Sequence, residues 1–118
     1  MSAQAKVVSK YLDAFTSGDL DAAYGLVSDD FSFRGPMLQS DGKEQFVAGS
    51  KGLAPIVNGY TMLRQFTEGI DVCSIYEFHV ETPKGSGTVL MTEWNTVEKG
   101  KLTSSRLVFD TAAFQALM

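Results

Sequence analysis

The half of the chain after Tyr60 constrains the fold more than any other feature of the sequence. Runs at 61–68, 72–82, 88–97 and 102–109 place apolar and polar residues at alternating positions. A pleated strand turns that period of two into two distinct faces. The turns "PKGSG" and "EKGK" separate the last three runs, which therefore form successive antiparallel hairpins. Such a meander makes one curled sheet, and a sheet needs a second layer to cover its apolar face.

The N-terminal half supplies that layer. Val8, Tyr11, Leu12 and Phe15 follow helical spacing and give a first helix one apolar stripe. Gly18 is its expected stop and Asp19 the N-cap of a second helix, in which Leu20, Ala23, Tyr24 and Val27 repeat the spacing. Asp29 and Asp30 would close that helix or cap the turn after it. In "DDFSFRGP" the period changes: Phe31 and Phe33 alternate with Ser32 and Arg34, a strand ended by Gly35-Pro36. Arg34, on the polar parity, reads as a solvated or rim residue, with an anionic substrate at the mouth as the other possibility. "SDGKEQFVAGSKGLAPIV" is a third, weaker helix, limited by Gly49, Gly52 and Pro55. Helices followed by a meander imply an α+β fold.

One strand is apolar on both faces. Between 88 and 97, Val89 and Met91 share one face while Leu90 and Trp94 share the other. A single layer of helices covers only one face, so the second is expected to pack on another copy of the chain, giving a homodimer.

Composition narrows the function. With 118 residues, 44% of them hydrophobic and 20% charged, the chain has the size and balance of a single soluble domain over 1–118. The net charge of -4 and ten scattered basic residues argue against nucleic acid as a partner. Cys73 is the only cysteine and His79 the only histidine, so neither an intrachain disulfide nor a typical zinc or iron centre can be built. No apolar run is long enough for a bilayer, and "MSAQAKVVSKYLDAF" lacks the apolar core of a secretion signal. The cytoplasm is the expected location, with no membrane partner.

"YLDAFTSGDLDAAYGLVSDDFSFRGP" and "EKGKLTSSRLVFD", in an order of helix, helix, strand, helix and long meander, carry a resemblance over nearly the whole chain. The sequence resembles the nuclear transport factor 2-like superfamily, and within it the ketosteroid-isomerase and polyketide-cyclase (SnoaL-like) branch. The resemblance implies a conical, curved antiparallel sheet packed with three N-terminal helices around an apolar pocket, a cystatin-like α+β barrel. It also implies a tyrosine hydroxyl on the first helix, matched by Tyr11. Beside that hydroxyl the isomerases hold a carboxylic acid, kept neutral so that it can donate a hydrogen bond; Glu93 falls at its position. The general base of the isomerases precedes the proline of "RGP", where this chain has Gly35. That departure argues against steroid isomerase activity. Asp110 resembles an acid that some cyclase-branch members use at the end of the last strand.

The residues themselves leave two readings for each candidate. Tyr11 is either a packing ring in a helix stripe or a hydrogen-bond donor to a ligand. Glu93 shares the parity of Val89 and Met91 and points inward with them, whereas a slip of one residue would turn it out and Trp94 in. His79, between Glu77 and Glu81, lies on a polar or interface strand face or serves as a base. Asp110 is a catalytic acid or a loop cap. Phe15, Phe33, Tyr76, Phe78, Met91, Leu107 and Phe109 either line an aromatic-rich pocket for an apolar ligand or fill the cone completely. Two functions follow. One is a cofactor-free isomerase, cyclase or hydrolase acting on a lipophilic carbonyl compound, with Tyr11 and Glu93 stabilising an oxyanion and Asp110 or His79 as base. The other is a non-catalytic ligand-binding or dimeric assembly module.

Overall fold

The computed structural model describes residues 2–118. Helix α1, Ala3–Thr16, starts at Ser2, whose side chain accepts from the Ala5 N–H at 3.0 Å. It buries Val8, Tyr11, Leu12 and Phe15 on one stripe. Gly18 then adopts a φ of +86°, a left-handed conformation that a side chain would strain, and Asp19 caps α2, Leu20–Gly25.

The second helix is shorter than its apolar spacing predicts. Val27, Asp29 and Asp30 belong to strand β1, Val27–Arg34, where the two aspartates are exposed. The cause is tertiary: the Leu102 N–H donates to the Leu26 carbonyl at 2.8 Å, and Val27 then pairs with Leu102 in a parallel ladder. A short strand β2, Gln39–Asp41, pairs antiparallel with the end of β1. Helix α3, Lys43–Ser50, runs into a single 3-10 segment, Lys51–Ile56, that contains Pro55.

The meander follows as β3, Val57–Glu68; β4, Asp71–Thr82; β5, Gly85–Glu98; and β6, Lys101–Phe109. A C-terminal helix α4, Thr111–Gln115, closes the chain. The six strands lie in the order β2-β1-β6-β5-β4-β3, antiparallel except at β1–β6. The α+β cone is therefore an open sheet with edges at β2 and β3 rather than a closed barrel. Neither β2 nor α4 has a periodic sequence signal, because both are too short to show one.

Helix α1 packs on α2 and across β3, β4, β5 and β6, so the concave face of the sheet holds the core. Along β5 the burial alternates: Val89, Met91, Glu93, Asn95 and Val97 are buried, while Leu90 and Trp94 are 57% and 48% exposed. The phase that directs Glu93 inward is the one present. No helix among the described residues is long and apolar enough to cross a membrane.

Candidate functional site

A cavity of about 200 Å³ lies between α1, α3, the concave sheet face and α4. Its inner wall is built at fixed strand parity. Tyr76 and Phe78 come from β4, Met91 and Glu93 from β5, Leu107 and Phe109 from β6, and Phe33 from β1. Tyr76 sits opposite Met91 and Glu93 opposite Leu107, so these side chains share one face of the pleat. From α1 come Tyr11, Leu12 and Phe15, in which Tyr11 and Phe15 stack with centroids 6.0 Å apart. The exposed lining residues Pro36, Met37 and Gly49 mark the mouth.

Polar groups are few. Glu93 is only 4% exposed. Asn95 Nδ2 donates to Glu93 Oε1 at 3.1 Å, and the Ser105 hydroxyl donates in turn to Asn95 Oδ1. The second Glu93 oxygen has no partner among the described residues. Burial raises the Glu93 carboxyl to about 7 from its ordinary 4.5, against a smaller lowering by the Asn95 hydrogen bond. Near neutral pH a large fraction is protonated. With Oε1 satisfied by Asn95, the protonated oxygen is left to donate into the cavity.

The Tyr11 and Tyr76 hydroxyls likewise have no hydrogen-bond partner among the described residues. Both are held well above the ordinary tyrosine range, chiefly by burial and then by the neighbouring Glu93, so both remain donors. Tyr24 differs: its hydroxyl pairs with Ser50 Oγ at 2.7 Å. The cavity therefore presents three weak acids whose proton loss is disfavoured by burial, and the described residues place no cationic side chain in its wall. Among the described residues no three His, Cys, Asp or Glu side chains cluster as a metal site.

The other candidates lie elsewhere. Asp110 is exposed and accepts from the Ala112 and Ala113 N–H groups at 2.9 and 3.4 Å, which makes it the N-cap of α4. His79 occupies the opposite sheet face, with Nε2 2.8 Å from Thr61 Oγ1. Arg34 forms an ion pair with Asp41 at 2.6 Å and donates to the Ser40 carbonyl, tying β1 to β2 at the cone's rim. Neither Asp110 nor His79 lines this cavity. Gly35 lines the wall, and a Cβ placed there would meet the Phe33 ring at 2.9 Å. An aromatic edge thus occupies the space a carboxylate on residue 35 would need.

Sequence reasoning placed Leu12 in the first helix's apolar stripe without assigning it to the pocket, and did not single out Phe46, Leu53 or Phe114; all four line the cavity. Phe46 and Leu53 could have been found as apolar residues of the helical layer. Phe114 gave no signal, because α4 has too few residues for a period.

The family described as the SnoaL-like domain matches residues 8–105. No curated protein matches the sequence. Among solved structures, an NTF2-like protein from Cytophaga hutchinsonii is 25% identical, with a TM-score of 0.81 over 95% of this chain and 94% of that one. A LEH-like epoxide hydrolase from M. tuberculosis is 17% identical, with a TM-score of 0.84 over 98% and 89% of the two chains. TerC, co-crystallised with polyporic acid, is 17% identical, with a TM-score of 0.84 over 98% of each chain. The last two likenesses are of fold.

Proposed function

The chain belongs to the SnoaL-like domain family, and from that premise we propose that it is a cofactor-free enzyme of the isomerase, cyclase or hydrolase type. Its substrate is a small apolar compound bearing a carbonyl oxygen. One observation carries the reading: Tyr11 and Glu93, beside Tyr76, bring hydroxyl and carboxyl groups with a free valence for hydrogen bonding into a cavity whose wall is otherwise apolar apart from Ser50. Donors held in a water-poor site stabilise negative charge developing on an oxygen more than water does. Among the described residues Glu93 is the only carboxyl in the cavity wall. A group titrating near 7 is matched to proton transfer at neutral pH, so that task falls to Glu93 rather than to Asp110 or His79. An epoxide hydrolase and TerC, co-crystallised with polyporic acid, share this fold, which is consistent with this use of the cavity.

The test is binding of 4-nitrophenol near pH 6, where Glu93 is protonated and the probe's absorbance reports its ionisation. The expected outcome is a bound form enriched in phenolate, weakened about tenfold or more by Tyr11→Phe, the scale of a hydrogen bond to a charged oxygen. A protein that binds the probe without enriching phenolate, or a Tyr11→Phe variant that binds equally well, overturns the oxyanion role. The second reading, a binding module without turnover, is favoured by one feature: the Phe33 edge that fills the space beside Gly35. Probe binding without turnover of any small ketone, ester or epoxide would select it.

We also propose that the outer sheet face joins two copies of the chain. Phe66, Cys73, Trp94 and Arg106 align in one row across β3–β6. Exposed Leu90 and Val108 flank this row. Trp94 donates to Asp71 at 3.0 Å while Arg106 lies 5.6 Å over its ring, which fixes the indole between these two partners. Trp94→Glu is expected to shift the sedimentation of a dimer towards monomer. Wild type sedimenting as a monomer at micromolar concentration overturns the proposal.

A further inference from the structure

We infer that the C-terminal segment 110–118 sizes the cavity, and that Phe114 restricts its occupant to about one six-membered ring. The inference rests on the reading of the cavity as a site for a small apolar oxygen-bearing ligand, and it names which members of that class fit.

The segment is held at both ends. At its start, the Asp110 carboxylate caps α4 and turns the chain back over the sheet. At its end, the Leu117 side chain seats against Gly87 of β5 so closely that a Cβ on Gly87 would lie 2.7 Å from Leu117 Cδ2. The Thr82 hydroxyl donates to the Leu117 carbonyl from the adjacent end of β4. Between these anchors Ala112, Ala113, Gln115 and Ala116 are exposed. Phe114 alone is buried, at 8% exposure. Its ring packs on Phe109 with centroids 5.5 Å apart and forms part of the cavity wall. A five-residue helix has little stability of its own, so its position is set by Phe114 within and Leu117 beyond.

The volume decides the size of the guest. An apolar cavity of about 150 Å³ accommodates benzene, whereas sites for drug-sized ligands span about 300–1,000 Å³. At about 200 Å³ this cavity encloses one ring with small substituents, and the remaining rings of a fused tetracycle would have to lie outside its mouth. Phe114 is a wall residue carried by α4, outside α1, the sheet and the three donors.

Calorimetric titration with 4-methylphenol, 2-naphthol and a neutral four-ring ketone tests the inference. Wild type is expected to bind the single-ring phenol at least tenfold more tightly than the two-ring one and to ignore the four-ring ketone. Phe114→Ala is expected to reverse the first preference by tenfold or more. Phe114→Leu, which keeps an apolar anchor on α4, is expected to shift it in the same direction by less. Leu117→Ala, outside the cavity wall, should relax the size limit while leaving single-ring binding within threefold. Equal binding of one and two rings by wild type, or an unchanged preference in both Phe114 variants, overturns the inference and leaves the site's function standing. Failure of every ring compound to bind wild type overturns both.

Discussion

The two ends of the concave sheet face use the same strands to opposite effect. At the hairpin end, Val27, Val72, Val97 and Leu102 are essentially fully buried and join in one packed layer, with Val27 and Val97 each registered against Leu102. At the other end the inward positions carry rings, among them Phe33, Tyr76, Phe78 and Phe109, and a cavity remains between them. Branched aliphatic side chains interdigitate to crystalline density. Rings meeting edge to face, as Tyr76 and Phe78 do at 6.3 Å, brace one another as walls. Between the two ends lies a buried polar band of Ser74, Glu93, Asn95 and Ser105. One sheet is thus filled at one end and left hollow at the other.

The largest effect that would break this comparison is a truncation made at each end. Leu102→Ala empties a packed site and is expected to cost about 2–5 kcal/mol. Leu107→Ala enlarges a space that already exists and should cost about 1 kcal/mol or less. Denaturant unfolding measures both, and equal losses would mean that the hollow end is as tightly packed as the other.

Next in size is the pH response of the polar band. Glu93 titrates at about 7 when folded, against an ordinary 4.5. Between those values the native state retains a proton that the unfolded chain has released. The group's contribution is therefore fully present below about 4.5 and is lost as pH rises through about 7. The loss amounts to about 3 kcal/mol. Glu93→Gln should flatten that decline in unfolding curves taken at a series of pH values. A mutant that keeps the wild-type slope would assign the pH response to another group.

The smallest effect sharpens the comparison most, because it sets two buried tyrosines side by side. Tyr24→Phe leaves Ser50 Oγ without its 2.7 Å partner and is expected to cost about 1–2 kcal/mol. Tyr11→Phe removes a hydroxyl that pairs with nothing among the described residues, and stability should move by no more than about 0.5 kcal/mol. A Tyr11 loss matching that of Tyr24 would place its hydroxyl in the structural framework.

The sequence by itself determined the elements whose signal is local and repeated. The stripe Val8–Tyr11–Leu12–Phe15, the three hairpin strands and the parity joining Glu93 to Val89 and Met91 all depend on residues within a few positions of one another. Only the tertiary structure decided the rest. Val27 left the helical pattern because a distant strand, β6, paired with it, and Asp110 became a helix cap because α4 folds back towards Gly87. Whether the aromatic rings fill the cone or enclose space depends on what faces each of them across the core, and periodicity carries no information about that. The cavity, the elevated Glu93 carboxyl and the Phe33 edge beside Gly35 arise where α1, β1, β5 and α4 converge, residues as far apart in sequence as Tyr11 and Phe114. A sequence specifies which face each side chain takes. The volume left between faces is fixed only when the chain closes on itself.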